Sequence, residues 1–369
     1  MNKEKLFELT KHLSDEGGVV GDEEKTTAIL EKALQPYVKE IKYDRFGNLI
    51  SFKPGKKDGA TVILEAHIDE IGLIVDYIDE NGFIYFKKLG VWEARILPAQ
   101  RIKIRTRKHG DIHGIVGMRP LHIETIGQKD NKAWRMNELF IDIGAKSADS
   151  VIKAGVRKGD CIFMDRELIR LEVNSDIITG KALDNRLGCA CMVDVMDILS
   201  KENHEANIYA IGSMQAELAL NGGFNLSSEM LKPDVIIVFD TTVAGDVPGV
   251  HPKDSVSRIG DGAIIKLAEY GEWPHGHVVH KKLVDLIVET AEEEKIPYQL
   301  EVLEEATTTA TAIQHALGGC AAGAISVPTR YLHCPTELAD INDAIACSKL
   351  TAATMKKITS KYISYLYSR

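Results

Sequence analysis

The chain is poor in cysteine and lacks the motifs that cysteine-based sites require. Its 369 residues include six cysteines, at positions 161, 189, 191, 320, 334 and 347. No two of them form a Cys-x-x-Cys pair, so the sequence does not indicate a thiolate zinc knuckle. Six dispersed cysteines are also too few for a disulfide framework in a chain of this length. We therefore expect most of them to be small buried side chains.

Long apolar runs and clusters of positive charge are also missing. No apolar stretch reaches the roughly 18 residues of a membrane span. The first residues, MNKEKLFELTKHLSDEGG, have the pattern of an amphipathic helix rather than a signal peptide. The net charge is -9 and the pI about 5.8, which argues against a nucleic-acid partner, because phosphate binding needs clustered Lys and Arg. The sequence therefore predicts a cytoplasmic globular protein with neither a membrane nor a nucleic-acid partner.

The hydrophobic pattern divides the chain into three stretches. Residues 3–15 and 22–36 have helical periodicity, and IKYDRFGNLISFKP predicts a hairpin, followed by a strand that ends at His67. From about residue 70 to residue 170, short alternating strands are separated by turn signals, with one short helix at SADSVIKAG. After residue 180 the pattern returns to alternating strands and helices. These stretches predict an α/β domain formed by residues 1–69 and 171–369, with an all-β module at 70–170 inserted into it.

Two imidazoles and three carboxylates stand at the points where apolar runs stop. They are His67, Asp184, Glu217, Asp240 and His333. Apolar runs of this kind predict buried strands. In an open α/β sheet, ligands bind beyond the carboxyl ends of the strands, so residues that are scattered along the sequence can meet there. This set of side chains suits a pair of divalent metal ions, Zn²⁺ or Co²⁺.

Each of these residues also has a simpler explanation when it is taken alone. An isolated histidine at a strand end is more often a hydrogen-bonded structural residue than a ligand. Asp240 could end a strand, Glu217 could complement a helix dipole, and Asp184 could cap a helix. Their joint positions favour metal ligation. A second group of histidines, His275, His277 and His280, has no matching motif, and we interpret it as loop and helix surface.

The residue before Glu217 is Ala216. A two-metal hydrolase that cleaves an amide normally uses a carboxylate to move a proton from the attacking water to the leaving amine. Alanine cannot carry out this transfer. The sequence thus predicts a metal site without its proton shuttle.

Five motifs resemble those of the TET-type deblocking aminopeptidases, also known as glutamyl aminopeptidases, which are co-catalytic dinuclear zinc metallopeptidases. The motifs are HIDEIG at 67–72, GIVGMRPLH at 114–122, KALDNRLG at 181–188, AGDVPG at 244–249 and SVPTRYLHCPTE at 326–337. They occur in order along nearly the whole chain. The resemblance implies a mixed-sheet, phosphorylase/hydrolase-like zinc-aminopeptidase domain that acts on the free N-terminus of short peptides.

The resemblance also implies a role for each site residue. Asp184 corresponds to the carboxylate that bridges the two metals, with His67 and Asp240 on one ion and Glu217 and His333 on the other. Asp69 corresponds to a catalytic-site carboxylate that orients the histidine ligand, and the bond from Asp184 to Asn185 is expected to be cis. The inserted β module is expected to mediate assembly into dimers and a tetrahedral dodecamer.

The sequence departs from the family pattern at two positions. At position 216 the family carries a second glutamate, which is the general base, whereas this chain has Ala216. The family also has a Thr-Asp pair, and in this chain Thr309 stands at the position of the Asp. We therefore predict a metalloaminopeptidase with impaired activity, unless His315 or Asp69 replaces the base. The alternative hypotheses are a regulatory metal-binding homologue that binds peptides without hydrolysis, and a hydrolase that acts on a different amide or ester.

Overall fold

The computed structural model describes residues 1–120, 134–218, 231–254, 257–271, 276–314 and 319–368. The predicted residues His275 and His315 and the last two residues of GIVGMRPLH lie outside these ranges. The helices are α1 Lys3–Asp15, α2 Glu24–Leu34, α3 Ala148–Ala154, α4 Leu183–Ser200, α5 Lys281–Glu293, α6 Ala310–Ile313, α7 Ile341–Lys357 and α8 Ser360–Leu366. None of the described helices is long and apolar enough to cross a membrane.

The strands form one large mixed sheet and one barrel. They are β1 Glu40–Tyr43, β2 Leu49–Lys53, β3 Thr61–His67, β4 Gly72–Ile78, β5 Ile84–Leu89, β6 Arg101–Thr106, β7 Gly110–Gly117, β8 Phe140–Asp142, β9 Cys161–Met164, β10 Ile169–Arg170, β11 Ile177–Gly180, β12 Asn207–Ser213, β13 Val235–Val243, β14 Ala263–Tyr270, β15 Gly276–Val278, β16 Tyr298–Glu304, β17 Ala321–Arg330 and β18 Glu337–Asp340.

Four parallel strands form the middle of the 12-stranded sheet, whose order is β1-β2-β12-β3-β13-β17-β18-β11-β10. Strand β3 pairs in parallel with β12 and β13, and β13 pairs in parallel with β17. Strand β13 is buried along almost its whole length, as expected for a parallel strand that is covered on both faces. Strands β14, β15 and β16 extend the sheet from β17. The carboxyl ends of the four central strands therefore lie at one edge of the sheet.

Helix α4 is the central helix of the α/β part. Nearly all of its side chains are buried, and they pack in one hydrophobic core with residues from α1, β3, β13 and α7. Helix α1 begins where the side chain of Asn2 accepts a hydrogen bond from the backbone N–H of Lys5, which is a favourable N-cap. The predicted limits of the first helix, residues 3–15, agree with α1.

Strands β4 to β9 form a closed six-stranded barrel in the order β4-β5-β8-β7-β6-β9. The barrel has its own apolar core, which includes Leu73, Ile102, Ile141 and Ile162. The short helix α3 packs beside it, capped at its start by Ser147 and ended by Gly155, whose φ of 102° is accessible to glycine at little cost. This barrel lies within the stretch where the sequence changes to short alternating strands.

Candidate metal centre

Four of the five predicted ligands are carried by the central parallel strands or by the loops that follow them. His67 is the last residue of β3, and Asp240 lies near the end of β13, which continues for three further residues. Glu217 lies in the turn after β12, and His333 lies in the loop after β17. These positions converge because the carboxyl ends of parallel strands share one edge of the sheet.

Asp184 lies at the centre of the group, at the start of α4. Its Oδ1 atom is 3.1 Å from Nε2 of His67, and its Oδ2 atom is 3.3 Å from Nε2 of His333. The second carboxylate at Nε2 of His67 is Asp240, at 3.7 Å, and the second at Nε2 of His333 is Glu217, at 3.5 Å. The five side chains therefore form two groups that share Asp184. The peptide bond from Asp184 to Asn185 is cis.

Burial and mutual contact shift the pKa values within this group. Burial alone would lower the pKa of His67, but hydrogen bonds with Asp184, Asp240 and Asp69 raise it well above its usual value. Burial also opposes protonation of His333, but Asp184 and Glu217 raise its pKa to about 11. The pKa values of Glu217 and Asp240 are raised by burial and by the nearby charge of Asp184. Without a metal, positive charge in this group therefore comes from protonated imidazoles.

The donor set fits divalent metal ions. Ligand atoms of His67, Asp184 and Glu217 all lie within 4.8 Å of one another. The carboxylates of Asp184 and Glu217 lie close enough to repel one another in this buried site, and a cation can replace the protons that otherwise reduce the repulsion. Since each oxygen of Asp184 faces a different imidazole, the carboxylate is placed to bridge two ions.

Asp69 contacts both a histidine ligand and the segment that carries Glu217. Its carboxylate accepts hydrogen bonds from the backbone N–H groups of Ala216, at 3.0 Å, and Glu217, at 2.9 Å. Its backbone carbonyl oxygen is 3.1 Å from Nδ1 of His67, whereas its carboxylate is 3.6 Å from that atom. The imidazole is thus oriented mainly by the carbonyl group, while the carboxylate fixes the loop that follows β12.

Ala216 lines a cavity beside the ligands. This cavity has a volume of about 470 Å³ and is also lined by the threonines at 307–309 and by Leu218 and Val243. Apart from the proposed ligands, the carboxylate among the described lining residues is Glu305, whose side chain is exposed. Asp69 is fully buried, does not line this cavity and already accepts two backbone hydrogen bonds, which argues against Asp69 as a replacement for a base at position 216.

Thr309, the second departure from the family pattern, contacts a buried carboxylate. Its hydroxyl donates to Oε2 of Glu65 at 2.6 Å, and the Ser213 hydroxyl donates to Oε1 of the same residue. Burial raises the pKa of Glu65 to about 7. An aspartate at 309 would place a second carboxylate against Glu65, so threonine is the compatible residue in this chain.

Sequence reasoning missed several buried charged side chains around the centre. Glu70 accepts from Lys181 at 2.8 Å and lies 3.3 Å from Arg186, and these two cations flank Asp184 in the sequence. Glu337 accepts the backbone N–H groups of Asp184 and His333. All of these residues lie within the quoted motifs, but local sequence does not reveal their burial.

One of the histidines predicted to be on the surface is buried instead. His277 lies in β15, where its Nδ1 atom is 3.4 Å from Glu269 and 3.3 Å from the hydroxyl of Thr311. The expectation of a surface position was therefore wrong for this residue, because polar partners from β14 and α6 compensate its burial. His280 is exposed and precedes α5.

The comparisons with known proteins agree on one family. Residues 47–350 match the family described as M42 glutamyl aminopeptidase. The FrvX protein of Escherichia coli (strain K12) is 34% identical over 358 residues, which cover 97% of each chain. An aminopeptidase from the archaeon Desulfurococcus kamchatkensis superposes with a TM-score of 0.94 at 34% identity, over 100% of this chain and 99% of that chain.

The similarity to a third protein supports only the assignment of the fold. The TET1 peptidase of Pyrococcus horikoshii, which can assemble into a tetrahedron or a large octahedral shell, is 24% identical and superposes with a TM-score of 0.82 over 95% of this chain and 99% of that chain. Together these structures confirm the predicted fold class, a mixed-sheet α/β domain with an additional β module.

Proposed function

Because the chain belongs to the M42 glutamyl aminopeptidase family of hydrolases, we propose that it is a dinuclear metal-dependent aminopeptidase whose turnover is impaired at Ala216. The proposed substrates are short peptides with a free N-terminus. The observation that carries this proposal is the position of Asp184, whose two oxygens lie 3.1 Å and 3.3 Å from two different imidazoles. A single carboxylate in that position is suited to bridge two metal ions.

The proposed ligands divide between the two ions as the contacts do. His67 and Asp240 belong to one ion, His333 and Glu217 belong to the other, and Asp184 is shared. Imidazole and carboxylate donors suit Zn²⁺ or Co²⁺. When bound, such ions supply Lewis acidity toward the peptide carbonyl and lower the pKa of a water molecule. Asp69 keeps Glu217 in place by accepting its backbone N–H.

Among the described residues that line the cavity, Glu305, which is exposed, is the only carboxylate apart from the proposed ligands that could assist proton transfer. Peptide hydrolysis must deliver a proton to the leaving amine, and the methyl group of Ala216 cannot carry one. General acid–base assistance is worth about 10²–10⁴-fold, or about 3–5.5 kcal/mol. We therefore expect slow cleavage of peptides, with a smaller deficit for esters or anilides, since these have better leaving groups than a peptide amine.

A second candidate function is peptide binding without hydrolysis. Ala216 favours it, because the proposed metal ligands are present while the base is not. In that case the protein would act as a regulatory metal-binding homologue. A third candidate, a hydrolase for another amide or ester, is favoured by Thr309 and the changed wall of the cavity at 307–309.

Assembly is a further part of the proposal. The Pyrococcus horikoshii relative forms closed shells, and we propose that the present chain is also a homo-oligomer, built from dimers up to a tetrahedral dodecamer. The barrel is proposed as the oligomerisation module, inserted at 70–170 between the two parts of the catalytic domain. Mass photometry of the purified full chain tests the assembly, and a monomer at every concentration would contradict it.

The cytoplasmic location stays a prediction.

The proposed chemistry is tested by matched peptides. The protein is stripped of metal, reloaded with Zn²⁺ or Co²⁺, and its metal content is measured before peptides with free or acetylated N-termini are added. We expect two ions per chain and slow release of the first residue from the free peptides only. Failure of the folded protein to bind metal, or equal cleavage of acetylated peptides, would refute the proposal. Tight binding of free peptides without release would support the second candidate.

A further inference from the structure

We propose that Glu337 is a positioning residue that holds the shared ligand Asp184 and the terminal ligand His333 at a fixed separation. This inference rests on the metal centre proposed above and assigns a role to a residue outside its ligand set. Glu337 is the last residue of the motif SVPTRYLHCPTE and the first residue of β18.

Each oxygen of the Glu337 carboxylate accepts one backbone N–H from a different ligand residue. The N–H of Asp184 donates to Oε2 at 3.0 Å, and the N–H of His333 donates to Oε1 at 3.0 Å. The residue is 2% exposed, so water does not compete for these hydrogen bonds. Burial and the nearby charge of Asp184 raise the pKa of Glu337 to about 8, and each oxygen of the carboxyl group can accept an N–H in either protonation state. The carboxylate therefore acts as a clamp between two segments that are far apart in the sequence.

The sheet explains why this clamp has a fixed position. Strand β18 lies between β17 and β11. The chain enters the His333 loop from β17 and reaches Asp184 shortly after β11. Glu337 pairs with Gly180 of β11, and its carbonyl oxygen accepts a hydrogen bond from the hydroxyl of Thr179 at 2.7 Å. The side chain thus extends from a strand that is anchored beside both ligand segments.

The backbone at both ligands needs an external acceptor. His333 has a φ of 56°, in the left-handed region that residues other than glycine rarely adopt. Asp184 lies in the first turn of α4, where backbone N–H groups have no partner within the helix. Loss of Glu337 would leave both groups without their acceptor, and the two ligands could shift independently.

The two metal positions should depend on Glu337 to different extents. The ion between His333 and Glu217 uses both clamped ligands, whereas the ion between His67 and Asp240 uses only Asp184. Removal of the carboxylate should therefore weaken the first position more than the second. A purely structural role would lower the stability of the whole domain and would not distinguish the two positions.

Asp343 offers a matched control. Like Glu337, it is a buried carboxylate that accepts two backbone N–H groups, from Gly260 at 2.6 Å and Gly262 at 2.8 Å. It is 1% exposed, and its hydrogen bonds are to a loop that carries none of the proposed ligands. The Asp343→Ala variant loses an equivalent pair of hydrogen bonds without disturbing the clamp.

The experiment is Zn²⁺ titration by calorimetry of the full-length, metal-stripped wild type and of the Glu337→Ala, Glu337→Gln and Asp343→Ala variants. Circular dichroism first establishes that each variant is folded. We expect the binding step of the ion between His333 and Glu217 to lose about 10–100-fold in affinity in Glu337→Ala, while the other step changes less. The loss should be smaller in Glu337→Gln, because the amide oxygen can still accept one N–H. Asp343→Ala should bind both ions as the wild type does. The visible spectrum of the Co²⁺-loaded protein should change only in the Glu337 variants.

Each result has a defined meaning. If the wild type does not bind two ions, the proposed function is refuted, and this inference is refuted with it because it rests on that function. If the wild type binds two ions and folded Glu337→Ala binds both with unchanged affinity, Glu337 is not a positioning residue. An equal loss in Asp343→Ala would show a general effect of stability and would also overturn the inference. If Glu337→Ala does not fold, the metal affinity of Glu337→Gln is the test. An unchanged metal affinity in that variant would refute the positioning role of Glu337.

Discussion

The metal-ligand cluster and the cavity wall beside it lie within one cavity but differ in their chemistry. The cluster consists of His67, Asp184, Glu217, Asp240 and His333, and it offers two imidazoles and three carboxylates as donors. The wall consists of Ala216 and the threonines at 307–309, and it offers a methyl group and hydroxyl groups rather than carboxylates. The difference indicates that metal binding and proton transfer depend on separate side chains, so a protein can lose the second and keep the first.

The largest expected effect concerns the shared ligand. Asp184→Ala should reduce the metal content from two ions per chain to nearly none, because Asp184 contacts both imidazoles. Asp240→Ala should keep one ion, since Asp240 contacts only His67 among the two histidines. Metal analysis after gel filtration measures both variants. Equal metal content in the two variants would contradict the division of the cluster into two groups.

A smaller effect is expected at the residue that joins the two regions. Asp69→Ala removes the acceptor for the backbone N–H groups of Ala216 and Glu217. Because Glu217 is then less well positioned, metal affinity should fall by about 10–100-fold, and the loss should fall mainly on the ion that Glu217 binds. Calorimetric titration with Zn²⁺ measures the change, and an unchanged second binding step would show that Asp69 does not position this ligand.

The pH dependence of metal binding tests the electrostatics of the cluster. The pKa of His333 is raised to about 11 and that of His67 well above its usual value, so both imidazoles are protonated at neutral pH in the metal-free protein. A metal must displace these protons, and affinity should therefore rise with pH by about tenfold per pH unit for each proton displaced. Calorimetry in buffers of different ionisation enthalpy counts the released protons. Binding without proton release would mean that the imidazoles are neutral.

The smallest effect is expected in the cavity wall. Thr309→Val removes the hydroxyl that donates to Glu65 at 2.6 Å, while Ser213 still donates to the other oxygen. The free energy of unfolding should fall by about 1 kcal/mol, the lower end of the range for a buried acceptor that loses a partner. Metal affinity should not change. Urea unfolding and metal titration measure the two quantities, and a large loss of metal affinity would show that the wall and the cluster are coupled.

The convergence of the five predicted side chains followed from the sequence more readily than the contacts of the cavity wall did, and the role of these side chains as metal ligands stays a prediction. His67 and Asp240 were recognisable because each follows a run of buried apolar residues, and parallel pairing brings such positions together. Glu65 could not be recognised as a buried carboxylate from the sequence. A glutamate within an apolar strand is compatible with burial only when distant residues such as Ser213 and Thr309 donate hydrogen bonds to it. Glu337 and His277 were missed for the same reason. The barrel was predictable as a stretch of short strands, but its closure depends on pairings between distant segments.

The measurement that tests the central claim most directly compares peptide turnover by the wild type and by Ala216→Glu, with the metal content of each protein determined in the same sample. If the metal centre is intact and lacks only its base, the variant should hydrolyse short peptides about 10²–10⁴-fold faster, with the same number of bound ions. Equal and robust hydrolysis by both proteins would show that another group already transfers the proton. No hydrolysis by either fully loaded protein would contradict the account and favour a binding role.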